Sequence, residues 1–179
     1  KAPDAQARYS ALQILTSLEP VDVLASYRQD LRDDPNRAVS GWATYLEQVI
    51  ASRRSCAREA DSVQRLFESG QPRSARARLS NIRSALRDEC DAELTDVLMS
   101  RLNDPSPSVR EVAINGLAGI SNLPAKRALG THFEIELVPA LRGTIIENAL
   151  LDPEILRALL RGESLTERRL AVRAIGASN

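Results

Sequence analysis

The sequence predicts an all-α fold, a helical-repeat array of antiparallel helix pairs, and three observations carry that expectation. The stretch Asp104-Pro105-Ser106-Pro107-Ser108-Val109-Arg110-Glu111-Val112-Ala113 repeats a pattern already present at Asp34-Pro35-Asn36-Arg37-Ala38-Val39-Ser40-Gly41-Trp42-Ala43: Asp-Pro, three residues, Val, three residues, Ala. The copies lie 70 residues apart, two periods of about 35, the length of one helical repeat unit. Apolar residues also recur at three- and four-residue steps between short Asp-Pro or Gly breaks. Finally, 43% of the chain is hydrophobic but only 3% aromatic, which suits closely packed helices with a core of Leu, Ala, Val and Ile. The expected architecture is an α-solenoid of about four to five antiparallel helix pairs, right-handed or gently curved.

The elements follow in order. Residues 5–18 show helical spacing, closed by Pro20, and Val21 to Leu31 form a second short helix. Asp33-Asp34-Pro35 breaks the chain and starts a long helix to about Ser69. Asp34 caps its free amides, and Pro35 sits where a missing donor is harmless. Its seam is Trp42, Leu46, Val49, Cys56, Ala60, Val63 and Phe67, interrupted by Arg53. Gly70-Gln71-Pro72 stops this helix and starts another over 73–89, with Ala75, Leu79, Ile82 and Leu86 on one face. After Cys90 an acidic first turn, Asp91 to Glu93, opens a helix carrying Leu94, Val97, Leu98 and Leu102. Asn103-Asp104-Pro105 ends it and caps the next, which runs through Val109, Ala113, Leu117 and Ile120. Gly116 and Gly119 read as close-packing positions in that helix. The stretch Thr131 to Leu137 alternates apolar and polar like a strand. A lone strand has nothing to pair with, so 122–137 reads as a loop or an irregular helix start. Helices return at 138–150, 153–161 and 165–176, divided by Asp152-Pro153 and Gly162-Glu163-Ser164.

A chain of 179 residues is long enough to bury a full core, and 1–179 reads as a single helical-repeat domain. It opens Lys1-Ala2-Pro3-Asp4 without Met or signal-peptide character, and its last residues stay near a helical pattern. The expectation is a processed chain or a fragment of a longer array. No run of 18 apolar residues offers a membrane span. Net charge is zero, so no global field draws the chain to nucleic acid or lipid. The positive charge is almost all arginine, with Lys1 and Lys126 the exceptions. A GC-rich, bacterial genome accounts for that bias; bidentate recognition of carboxylate or phosphate is the other reading.

The stretch Leu98-Met99-Ser100-Arg101-Leu102-Asn103-Asp104-Pro105, followed by Val109-Arg110-Glu111-Val112-Ala113-Ile114-Asn115-Gly116-Leu117-Ala118-Gly119-Ile120, resembles a HEAT repeat of the short kind seen in phycobilisome-lyase-like proteins. In that family a first helix ends in Asp-Pro, a Val-Arg pair opens the second, and an Ala and a Leu pack on the neighbour. The likeness is good over 94–120. Around Arg168, Ala171, Val172 and Ile175 it is partial and lacks the Asp-Pro, and over 31–50 Ser40 stands where the family has Arg. The resemblance implies that Asp104 and Arg110 tie neighbouring repeats by hydrogen bonds, with Arg168 as an equivalent. It also implies an interaction scaffold with no enzymatic activity and no cofactor. Some members, such as a bacterial alkylpurine glycosylase family, use the concave face for DNA, and others act with a pigment lyase.

Candidate chemistry is sparse. Cys56 and Cys90 both fall on apolar seams of helices joined at 70–72. Laid antiparallel, they miss register by about 6 Å, which a tilt absorbs. A disulfide, favoured in an exported protein, and two buried thiols in a cytoplasmic one both stay open. With one His and two Cys there is no usual zinc sphere, so no metal is expected. His132 has no partner at catalytic spacing and reads as an ordinary loop histidine. Glu134 and Glu136 are close in sequence, but nothing places a substrate between them. Arg73, Arg76, Arg83 and Arg87 follow helical steps along one flank. Between Arg53 and Arg87 nine Arg face Glu59, Asp61 and Glu68. Such a stripe grips an acidic protein surface or, as the alternative, a phosphate backbone. It equally suits a solvated face paired with Asp88, Glu89, Asp91, Glu93 and Asp96. The expected work is to hold another protein, either on the second helices of the pairs or on this basic flank.

Overall fold

The computed structural model describes residue 10, residues 21–34 and residues 36–177. The helix expected over 5–18 lies outside the described residues apart from Ser10. The described residues are helical throughout, without strands: α1 (Val21–Ser26), α2 (Arg28–Arg32), α3 (Arg37–Glu68), α4 (Pro72–Leu86), α5 (Asp91–Met99), α6 (Pro107–Ala118), α7 (Leu123–His132), α8 (Pro139–Asn148), α9 (Pro153–Arg161) and α10 (Leu165–Ala177). The chain divides into two compact units, Lys1–Arg58 and Glu59–Asn179, with the division inside α3.

In the first unit, the single helix expected over Val21 to Leu31 is two, parted at Tyr27, whose N–H donates to Leu24 O at 3.3 Å. The core joins Leu24 and Leu31 to Val39, Ala43, Leu46 and Ile50 of α3. These four fall at steps of four, three and four, so they share one face of the helix. Trp42 is partly buried against that cluster and meets Tyr45 edge-on, with ring centroids 4.8 Å apart.

In the second unit, α5 packs on α6, α7 on α8 and α9 on α10. The second helices touch in sequence, α4 on α6, α6 on α8 and α8 on α10, while α5 also meets α7. Each pair therefore leans on its neighbours along one direction, the construction of a helical solenoid. Fully buried aliphatics fill the layer between: Leu94, Leu98, Ile114, Leu117, Leu129, Ile145 and Ile146.

The breaks work by local hydrogen bonding. Gly70 adopts φ 69°, and the α3 end closes with Gln71 N–H on Leu66 O (2.9 Å) and Gly70 N–H on Phe67 O (3.0 Å). This is a Schellman closure, for which a residue without Cβ is preferred. All three Asp-Pro sites use the same device. The Oδ1 of Asp34, Asp104 and Asp152 accepts from the N–H two residues on, at 2.8, 2.9 and 2.7 Å. The two sequence copies also bury equivalent residues, Val39 with Ala43 and Val109 with Ala113.

The stretch 122–137 corrects the sequence reading. Residues 123–132 are a regular helix, with Asn122 as N-cap accepting from Ala125 N–H at 2.9 Å and Pro124 in the first turn. His132 is the last helical residue and is buried, not a loop histidine. The apparent strand alternation does not form one face: Phe133 is buried, whereas Ile135 and Leu137 are 61% and 84% exposed.

The connection from α8 to α9 runs across α7. Leu150 N–H donates to Lys126 O at 3.1 Å, and a Cβ on Gly130 would stand 2.5 Å from Leu150 O. Both of those atoms belong to rigid backbone, so the clash outweighs the better helix propensity of alanine. Gly130→Ala is expected to destabilise the chain by about 1–3 kcal/mol, read as a lowered urea midpoint with an unchanged slope. A midpoint equal to or above wild type would refute the close approach.

Candidate functional site

Two features of the second unit bear on function: a set of arginines at the starts of the second helices, two of which clip their pair to the next, and a grooved surface on those helices.

The clips begin with Arg110 near the start of α6. Its Nη1 donates to the carbonyls of Asp104 (3.1 Å) and Pro105 (3.4 Å) in its own turn. Its Nε and Nη2 donate to Glu136 at 2.9 and 3.2 Å, ahead of α8. Arg142 of α8 does the same. Nη1 reaches the carbonyls of Phe133 (3.0 Å) and Glu136 (3.1 Å), while Nε donates to Glu167 of α10 at 2.8 Å. Its guanidinium also lies over the Phe133 ring, 4.1 Å from the centroid. Arg168 of α10 donates from Nη1 to the carbonyls of Gly162 (2.6 Å) and Glu163 (3.2 Å).

Glu136 is the electrostatic centre of this set. It is completely buried, and burial alone raises a carboxyl's pKa. Hydrogen bonds from Arg110, from the Val138 N–H at 2.9 Å and from His132 Nε2 at 3.2 Å outweigh burial and lower it to about 2. Because the carboxylate is ionised, His132 Nε2 must be the protonated nitrogen of that contact. Its Nδ1 is buried without a hydrogen-bond partner. The bond to Glu136 also holds Arg110 above its ordinary value.

Sequence reasoning singled out Asp104, Arg110 and Arg168 as ties between repeats; Arg110 reaches the next repeat, the hydrogen bonds of Asp104 and Arg168 run within their own turns, and Arg142 with both carboxylate partners was missed. A signal existed in Val138-Pro139, which opens α8 with proline in the first turn. The partners themselves have no local signal, since they stand 26 and 25 residues from their arginines.

The expected arginine stripe is only partly one feature. Arg73 and Arg76 lie in the first turns of α4 and are exposed. Arg76 forms an ion pair with Glu111 of α6 at 2.5 Å, and Arg83 donates to Gly119 O at the C-terminal end of α6. A cation there also meets the negative end of the helix dipole. Arg87 caps α4 with φ 51°, and neither it nor Arg73 makes an ion pair with a described residue. Within the acidic run that follows, burial raises the Asp91 pKa and the nearby Arg83 charge tempers that rise. Arg78, outside the stripe, pairs with Glu59 of α3.

Arg76, Ser80, Arg83 and Ser84 of α4 face Val112, Asn115 and Gly116 of α6 across an open groove of about 590 Å³. A second groove of about 440 Å³ follows between α6 and α8, lined by Ser108, Glu111, Asn115, Leu141 and Thr144. Asn115 borders both, so the grooves lie side by side on the second helices. Among the described residues no group of three or more His, Cys, Asp or Glu could hold a metal ion, and no helix is long and apolar enough to cross a membrane. Both cysteines, Cys56 and Cys90, are disulfide-bonded.

Stacked helix pairs with repeating arginine clips define a helical-repeat protein. The HEAT repeat family model matches residues 94–123, which take in most of α5, the Asp104 turn and α6, so the chain carries a HEAT repeat there. HEAT repeats generally mediate protein–protein interaction. No curated protein and no solved structure matches the chain.

Proposed function

We propose that this chain is a non-enzymatic interaction scaffold that holds an acidic segment of a partner protein on the surface of α4, α6 and α8. The observation that supports this most is the pair of adjoining grooves on those helices, with Arg76 and Arg83 along the first. Polar Ser80, Ser84, Asn115 and Thr144 supply hydrogen-bonding groups without a deep enclosed pocket. That suits an extended protein surface better than a small substrate.

The test is recovery of partners from the source cell on wild-type protein and on an Arg76→Glu, Arg83→Glu variant. Both arginines are exposed, and surface ion pairs contribute about 0–1 kcal/mol, so the variant is expected to fold with nearly unchanged stability. At least tenfold lower recovery of the specific partner is expected, a loss of about 1.4 kcal/mol. Unchanged recovery rejects the groove as the contact. The alternative, phosphate-backbone binding by the Arg53–Arg87 region, needs the same arginines. It would appear as a salt-dependent DNA shift abolished in this variant.

A further inference from the structure

Each of α4, α6 and α8 opens on a proline, Pro72, Pro107 and Pro139. These prolines set a common register. One residue on stand Arg73, Ser108 and Ala140, all exposed, so that level carries a cation, then a hydroxyl, then a methyl. Arg76 and Glu111, each four residues past its proline, meet in an ion pair, so α4 and α6 start level. The second groove brings Pro107 and Ser108 against Val138, Ala140 and Leu141, so α6 and α8 start level too. Along one line over the three helix starts the surface therefore passes from basic to apolar.

The two grooves divide the same way. Arg76 and Arg83 line the first. The second has one charged lining residue, Glu111, which is engaged with Arg76, and an apolar side made of Pro107, Val138, Ala140 and Leu141. Leu137, beside Val138 in the chain, is largely exposed. Exposed charge contacts alone bind weakly. A segment held at Arg76 and Arg83 thus gains most by burying an apolar side chain in the neighbouring groove.

Spacing narrows the shape of that segment. Packed helices stand about 8–10 Å apart, so one groove follows the other at about that step. A chain in polyproline II form returns a side chain to the same side every third residue, about 9 Å at about 3.1 Å per residue. A strand does so at about 6.6 or 13 Å and a helix at about 5.4 Å, and neither matches. Asn115 borders both grooves, where the backbone of such a segment, without internal hydrogen bonds, crosses α6.

We infer that the partner segment places an acidic residue in the first groove and an aliphatic residue three positions away in the second, crossing α6 in polyproline II form. This rule rests on the reading of α4, α6 and α8 as a surface for an acidic segment, and adds the partner's sequence pattern to it.

The test is a nuclear magnetic resonance titration of the isotope-labelled chain with Ser/Gly peptides of about twelve residues. Each holds one Glu and one Leu, with Leu placed one to five positions to either side. In one chain direction, the three-position peptide is expected to bind about tenfold tighter than the other spacings and than a peptide with Ser for Leu. It is expected to move amides of α4, α6 and α8 together. Ala140→Gln puts a good helix former at an exposed position and is expected to bring that peptide down to the level of the Ser peptide. Equal affinity at all spacings, a strongest spacing other than three, or no effect of Ala140→Gln overturns the rule and leaves the acidic-segment reading in place. Equal affinity after Glu is replaced by Ser, or no amide movement in α4 and α6 with any peptide, overturns both.

Discussion

Glu136→Gln is expected to lower the unfolding free energy by about 3–5 kcal/mol, the usual cost of leaving one half of a buried ion pair uncompensated. The wild-type carboxylate accepts from Arg110, Val138 and His132 with no exposure to water. A glutamine keeps the volume but presents an NH2 group to at least one of these donors and removes the negative charge opposite Arg110. The pH dependence carries the same information. The carboxyl's pKa falls from an ordinary 4.5 to about 2 in the folded chain, so ionised Glu136 stabilises the fold at every pH above 4.5. That contribution, about 3 kcal/mol, is lost progressively as pH falls from 4.5 toward 2. Urea titrations at neutral pH and through this window measure it. Glu136→Gln should lack that part of the acid sensitivity. An identical pH slope in the two proteins would show that Glu136 is not the group responsible.

Removing the disulfide, by reduction or by Cys56→Ser with Cys90→Ser, is expected to cost about 4 kcal/mol. A bond between Cys56 and Cys90 would close a loop of about 35 residues, and chain-entropy reasoning gives that figure within a usual span of about 2–5 kcal/mol. Both sulfurs are buried, so the double serine variant also leaves two hydroxyls to be satisfied inside the core. Denaturant unfolding with and without reductant measures the loss. Thiol titration of the denatured, unreduced protein should find no reactive thiol, and reduction should release two. Such bonds persist in oxidising compartments. The same titration on protein taken directly from its source therefore separates the exported reading from the cytoplasmic one.

Much of the fold was legible because its punctuation is local. An aspartate before a proline needs only the amide two residues on, and Asp34, Asp104 and Asp152 all behave alike. Gly70 likewise announces the end of α3 by the backbone angle it alone tolerates easily. Glu136 was hidden for the opposite reason. Its charged donor, Arg110, lies 26 residues away, and a buried carboxylate within Phe133-Glu134-Ile135-Glu136-Leu137 mimics the polar half of a strand. The α7 signals, Asn122 and Pro124, were present but were overshadowed by that alternation. The contacts of the arginine stripe with α6 had no signal along the sequence. Arg76 finds its carboxylate 35 residues away, a choice made by the register of stacked helices.

The ion pair between Arg76 and Glu111 has a consequence for anything that enters the first groove. An incoming acidic group does not meet a bare cation; it meets one whose seat is already taken by a tethered rival on α6. Displacing Glu111 exchanges one carboxylate for another, so attraction alone yields little net advantage. Discrimination must then come from the shape and hydrogen bonding of the visitor. On the proposed function, weakly matching acidic chains would be turned away by the protein's own side chain.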